Sequence, residues 1–301
     1  MKVLLKKIPF LPGLVNWYRN KSLSPDPKVN ANRIYRNVFH KDINWNNPRN
    51  LIEKICWMEI YADTSLWTYC SDKYLVREFV EKRGCVDSLN ELYGHWDRPE
   101  DIDWDKLPKQ FVLKSNHACG QVIIVKNKST LKIQKTVVQL KQWLSQSYGL
   151  WSAQLHYTKI KPCIIAEKLL GNSKEDMIDY KIWCFNGKPE GILVVYDRTD
   201  NNYKLSYYDL QWNNISEKVL RVANKHYSGG NVTKPASFNS MIEIAEKLSI
   251  GFPQIRVDFY DINGKAIFGE LTFSTGYGYF TNDYYDYLGN LTDLSLVKRF
   301  I

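Results

Sequence analysis

The segment Arg256-Val257-Asp258-Phe259-Tyr260-Asp261-Ile262-Asn263-Gly264-Lys265-Ala266-Ile267-Phe268-Gly269-Glu270-Leu271-Thr272 constrains this chain more than any other. Apolar Val257 and Phe259 alternate with Arg256, Asp258 and Tyr260, the period of a half-buried strand, and Asn263-Gly264 supplies a hairpin turn. Loop length then decides which side chains meet, because a one-residue slip sends every side chain to the other face. With a two-residue loop, Asp258 pairs with Gly269 and Glu270 falls on the far face. With a three-residue loop, Ile262-Asn263-Gly264, Arg256 lies opposite Glu270 and Asp258 is its diagonal neighbour. The expectation is a shared face, on which two carboxylates form a hard-oxygen site suited to Mg²⁺. A surface hairpin with scattered, solvated charges is the alternative.

Other segments supply parts of a nucleotide site. Phe111-Val112-Leu113-Lys114 is a short apolar strand ending in a lysine, and Val122-Ile123-Ile124-Val125 is a second strand. The loop between them, Ser115-Asn116-His117-Ala118-Cys119-Gly120, has small residues that let backbone N–H groups approach phosphate while Lys114 supplies charge. His117 reads either as a phosphate ligand or as a solvated bystander. Cys163 to Ala166 reads as a buried strand running into Glu167-Lys168-Leu169-Leu170, a linker whose backbone can hydrogen-bond an adenine edge. Asp179 opens another alternating strand and can accept from a ribose hydroxyl. Arg198 reads as a cation for an acceptor carboxylate or as half of a surface ion pair. Helical spacing over Leu51 to Tyr61, Leu131 to Gln146 and Met241 to Leu248 predicts three helices. The aromatic stripe Trp57, Tyr61 and Trp67 reads as packing rather than as a ligand platform.

In this order the segments resemble the ATP-grasp superfamily, in which two α+β lobes clasp the nucleotide. A narrower resemblance, to the TupA-like ATP-grasp group of bacterial surface-polysaccharide biosynthesis, rests on five segments. They are Asn47 to Lys54, Asp72 to Glu78, Leu107 to Lys114, Asp179-Tyr180-Lys181 with Phe185 to Pro189, and Phe268 to Phe273. The resemblance implies an α+β ATP-grasp fold with a mainly helical extension over residues 1–70, a first lobe over 71–165 and a second lobe with the metal hairpin over 166–301. It implies ATP held by Lys73 and Lys114 at the phosphates, by Glu167, Lys168, Leu169 and Leu170 at adenine, and by Asp179 at ribose. Asp258 and Glu270 would hold Mg²⁺, and Arg256, Lys114 and Lys181 would be the catalytic cations. The superfamily usually has an asparagine metal ligand two positions after the second carboxylate; Thr272 departs from that pattern.

The activity implied is an ATP-dependent carboxylate–amine ligase working through an acyl phosphate. Its partners would be a uronic-acid carboxylate on an anionic saccharide or nucleotide-sugar, and an amine or amino acid. Two other classes compete. A metal-dependent glycosyltransferase would use an Asp-x-Asp pair, and Asp101-Ile102-Asp103 has that spacing. A polysaccharide-binding protein could retain the fold without catalysis.

Composition sets the outer bounds. A 44% hydrophobic and 24% charged chain of 301 residues is an ordinary globular sequence of about two domains. No apolar run is long enough to span a bilayer. Met1 to Lys21 is basic and apolar but interrupted by Pro9, Pro12 and Trp17, so it lacks a signal-peptide pattern. That segment leaves peripheral contact with the inner membrane surface open, beside a core-docking end. Six cysteines, at 56, 70, 85, 119, 163 and 184, form no close pair, which argues against a zinc cluster and for a reducing cytoplasm. The formal charge of +9 points to an acidic partner. Nucleic acid is not expected, because the basic residues are dispersed and no recognition module is present.

Overall fold

The computed structural model describes residues 23–171, 177–199 and 202–298. The membrane-surface expectation for Met1 to Lys21 lies outside the described residues. Two antiparallel sheets organise an α+β fold. The first holds β1 (Leu92–Trp96), β2 (Phe111–Ser115), β3 (Val122–Val125) and β4 (Ile164–Glu167) in the order β1-β4-β2-β3. The second holds β5 (Asp179–Phe185), β6 (Lys188–Tyr196), β7 (Lys204–Tyr208), β8 (Ile255–Ile262) and β9 (Lys265–Thr272) in the order β7-β6-β5-β8-β9. Strand β4 runs through the division expected at 165/166 and pairs with β1 and β2 of the first sheet.

The helices sort onto the two sheets by where their apolar faces find cover. On the N-terminal side lie α1 (Pro27–Phe39), α2 (Leu51–Tyr61), α3 (Ser65–Ser71) and α4 (Val76–Lys82). Leu51, Ile52, Ile55 and Met58 of α2 share one large core with Trp183, Val257 and Phe259 of the second sheet and Met241 of α6 (Phe238–Ser249). A smaller core lies on the first sheet, where Phe111, Leu113, Val125 and Ile164 pack with Leu140 of α5 (Ile133–Leu144). The helical segment therefore packs into the second sheet's core.

The start of α2 is built around a buried acid. Asn50 Oδ1 accepts from Glu53 N at 2.9 Å, and the Glu53 carboxylate accepts from the backbone N–H of Asn50, Arg49 and Asn44 and from Tyr35 Oη at 3.1 Å. A buried carboxylate with this many donors closes a capping box and fixes the approaching loop at the same time. Helix α7 (Asn282–Leu291) crosses here so closely that a Cβ on Gly289 would stand 2.1 Å from the Arg49 carbonyl oxygen.

The β8–β9 hairpin corrects the expected loop. Ile262 pairs with Lys265, so the turn has two residues, and Asn263 and Gly264 both adopt positive φ, 54° and 78°, as a primed hairpin turn requires. Left alone, that turn would put Glu270 on the wrong face. A register shift between Asp258 and Phe259 makes Gly269 the extra residue of a β-bulge, and beyond it Asp258 pairs with Glu270 and Arg256 with Thr272. Arg256 is therefore not opposite Glu270, and the shared face comes from the bulge rather than from a three-residue loop. Glycine suits the position because a Cβ there would approach the Asp258 carbonyl oxygen to 3.1 Å.

Candidate active site

On that face Arg256 is the hub. Its Nε donates to Asp258 Oδ1 at 2.6 Å and its Nη2 to Asp258 Oδ2 at 2.8 Å, a bidentate pair. The same Nη2 donates to Thr272 Oγ1 at 3.0 Å and reaches Glu270 Oε1 at 3.4 Å, while Nη1 donates to Thr275 Oγ1 at 3.2 Å. The guanidinium lies over the Trp183 ring, 5.5 Å from its centroid. From β5, directly beside β8, Lys181 pairs with Asp258 Oδ2 and lies 3.6 Å from Asp179. Burial alone would raise the pKa of Asp258, but Arg256 and Lys181 outweigh it and hold the carboxyl at about 2.

The two hairpin acids therefore differ. Asp258 is 6% exposed, with both oxygens held by cations, whereas Glu270 is 44% exposed and shares Oε1 with Arg256 and Thr272. Among the described residues, no group of three or more His, Cys, Asp or Glu gathers as a metal cage. An all-oxygen set of Glu270, the Thr272 hydroxyl and Asp258 does fit Mg²⁺, which usually takes one or two carboxylates and completes its shell with water and phosphate.

The first sheet contributes its own cations. Lys114 at the end of β2 pairs with Glu167 Oε2 at 2.6 Å, and Arg77 reaches Glu167 Oε1 at 3.4 Å. Asp72 accepts from the N–H groups of Tyr74 and Leu75 and, through Oδ2, from Asn116 Nδ2 at 2.8 Å. Lys73 donates to the carbonyl of Ala118 at 2.8 Å. The Asp72-Lys73 pair thus ties the loop of residues 115–120 to the start of α4. Burial lowers the pKa of Lys73, and Glu270 from the second sheet acts on it in the opposite direction. Cys119 in the same loop also lies within electrostatic reach of Glu270, Lys73, Lys181 and Arg256. Charged groups of the two sheets thus lie within electrostatic reach of one another.

Several sequence readings change in detail. His117 is neither solvated nor open to a ligand through Nε2: it is buried, its Nε2 lies 3.2 Å from the Gln146 carbonyl, and burial lowers its pKa. Arg198 pairs with buried Asp179, so those two expected ligand groups hold each other. In the linker, Lys168 N–H is bonded to the Glu91 carbonyl and Lys168 C=O to Asn90, while the Lys168 ammonium reaches Glu91 at 3.4 Å. Leu169 and Leu170 make no hydrogen bond to described residues and remain as the linker's open backbone. Asp101 and Asp103 pair with Arg98 and Lys106 in a separate, exposed turn. Asn116, Thr275 and Trp183 escaped the sequence reading. Asn116 lies in the loop already singled out, but Thr275 and Trp183 carry no local signal.

A model of the TupA-like ATP-grasp family matches residues 53–292. The chain belongs to that family. No curated protein matches it by sequence. Among solved structures, this TupA-like protein is similar to a D-alanine–D-alanine ligase from Bacillus anthracis complexed with ATP, at 14% identity and TM-score 0.47 over 77% of this chain and 67% of that one. It is also similar to the D-alanine–D-alanine ligase of Helicobacter pylori, at 14% identity and TM-score 0.43 over 80% and 65% of the two chains. A phosphoribosylamine–glycine ligase from Thermotoga maritima matches at 12% identity and TM-score 0.43 over 76% of this chain and 51% of that one. The TupA-like chain thus spans about two thirds of the first two ligases and about half of the third. No described helix is long and apolar enough to cross a membrane.

Proposed function

We propose that this protein is a carboxylate–amine ligase acting in bacterial surface-polysaccharide assembly, with a uronic-acid-type carboxylate as acceptor and an amine or amino acid as the second substrate. The observation that carries the reading is the approach of Lys73 and Lys114, which act on each other, to Glu270 of the second sheet, where Arg256, Lys181 and Asp258 form one ion-paired cluster with it. Lys73 and Lys114 bind the ATP phosphates, Glu167 to Leu170 face adenine and Asp179 faces ribose. Asp258 and Glu270 would hold Mg²⁺, which supplies charge neutralisation between phosphate oxygens when bound. Arg256 and Lys181 stabilise charge on the phosphoryl group as it passes to the acceptor carboxylate, and the amine then displaces phosphate from the acyl phosphate. No side-chain nucleophile is required. We place residues 1–70 as a helical extension, followed by the two lobes that enclose the nucleotide site.

Hydroxylamine tests the reading, because it intercepts an acyl phosphate and has nothing to trap in glycosyl transfer. With Mg·ATP and a glucuronic-acid-containing acceptor, ADP release and a hydroxamate at the acceptor carboxylate are expected, with amine competing. Sugar transfer from a nucleotide-sugar without ATP, and no hydroxamate with any acceptor, decides for a glycosyltransferase. Binding of Mg·ATP without turnover decides for a binding protein.

A further inference from the structure

The segment Asn47 to Lys54 carries part of the family resemblance but has no part in the chemistry above. It borders a cavity of about 710 Å³ lined by Trp45, Asn46, Asn47, Lys54, Trp57 and Tyr61, a volume within the roughly 300–1,000 Å³ typical of small-molecule sites. None of these residues belongs to the nucleotide site. Trp45 and Tyr61 are partly exposed, with ring planes at 74° and centroids 6.4 Å apart, so their faces form a corner. Tyr61 is backed by Trp57 at 5.3 Å.

Three polar features surround the rings. Asn46 and Asn47 are exposed, and their amides, each donor and acceptor, hydrogen-bond no described side chain or backbone group. The loop that carries them is held from beneath, because buried Glu53 fixes the N–H groups of Asn44, Arg49 and Asn50, and Asn44 Oδ1 accepts from Asn47 N at 3.0 Å. Such a loop loses little freedom when it binds. At the rim, the Lys28 ammonium stands 4.8 Å from the Tyr61 centroid and 5.9 Å from that of Trp45. Lys54, by contrast, is committed inward to the carbonyls of Gly289 and Thr292 at 2.8 and 2.7 Å.

Aromatic faces beside amide side chains match the apolar C–H face and the hydroxyl rim of a pyranose ring, and a cation resting on the rings favours an anionic ligand that can draw it away. We propose that this cleft binds a carboxylate-bearing sugar residue, its ring against Trp45 and Tyr61, its hydroxyls on Asn46 and Asn47, and its carboxylate on Lys28. The inference goes beyond the ligase reading. It is tested without nucleotide, so either can fail alone.

The test is calorimetric titration of the full chain with an oligosaccharide of glucuronic acid and, separately, one of glucose. Saturable binding of the acidic sugar is expected, with the neutral sugar weaker by about fivefold, the scale of one exposed ion pair. Trp45→Ala should remove both. Asn47→Ala, on an exposed residue, should weaken both several-fold, and Lys28→Gln should bring the acidic sugar down to the affinity of the neutral one, with thermal melting confirming that each variant is folded. Absence of binding to either sugar, equal affinity for the two in the parent, or binding unchanged by both Asn47→Ala and Lys28→Gln overturns the proposal.

Discussion

Asp258→Asn and Glu270→Gln look like equivalent probes of a metal site, and the structure says that they are not. Asp258 is buried between Arg256 and Lys181, so removing its charge leaves two cations facing a neutral amide. Breaking a buried pair by deleting one partner costs about 3–5 kcal/mol. Lys181 has Asp179 at 3.6 Å as a second partner, which places the loss at the lower end, about 3 kcal/mol. At about 1.6 °C per kcal/mol for 301 residues, the melting temperature should fall by about 5 °C. Glu270 is 44% exposed and meets Arg256 at 3.4 Å, so Glu270→Gln should cost about 1 kcal/mol or less and about 2 °C at most. Both substitutions should lower turnover by about a hundredfold or more through lost transition-state charge. The assay is thermal unfolding without nucleotide at neutral pH, run beside turnover with Mg·ATP. An Asp258→Asn protein that melts within about 2 °C of the parent, or a Glu270→Gln protein destabilised as strongly as Asp258→Asn, would refute the distinction.

The same cation clamp predicts an acid limb. With the Asp258 pKa lowered from the ordinary 3.8 to about 2, the ionised group contributes about 2 kcal/mol of stability. The sign follows from the depression: that stability is present above about pH 4 and disappears as pH falls through about 2. Acid unfolding of Asp258→Asn should lack this limb, and an unchanged profile would exclude the clamp as its source. Gly289→Ala should destabilise by at least about 1–3 kcal/mol without touching the nucleotide site, because its Cβ would strike the Arg49 carbonyl at 2.1 Å. Chemical denaturation measures it, and parental stability would show that α2 and α7 do not cross so closely.

What the sequence disclosed followed from short-range chemistry. Alternation around Asn263-Gly264 identified the hairpin and its turn, and apolar runs located β2, β3 and β4 to within a residue or two. Loop counting could not see the bulge, because a glycine at position 269 reads the same whether it lies in a regular ladder or interrupts one. The partners of each charge were also hidden. That Glu167 joins Lys114 to Arg77, that Asp179 holds Arg198, and that Glu53 organises the loop before α2 are long-range pairings set by how the sheets and helices pack. His117 was misread for the same reason: nothing adjacent in sequence announces that Gln146 covers it.

The bulge at Gly269 also makes the hairpin tolerant in an unusual way. It separates a turn-side segment, paired as Phe259 with Phe268, from a site-side segment paired as Asp258 with Glu270. Gly269 is the unpaired residue between these two pairs, so the face shared by the carboxylates is set by the pairing on the site side and not by the length of the turn. Deletion of Gly269 would remove the extra residue and leave Asp258 opposite Glu270 in a regular ladder, and a residue added to the turn would lengthen the loop inside the Ile262–Lys265 pair without shifting either segment. Either edit alone should therefore leave both carboxylates on one face, the first changing the local twist and the second only the loop, so this hairpin can drift in turn length without exchanging the faces of the site.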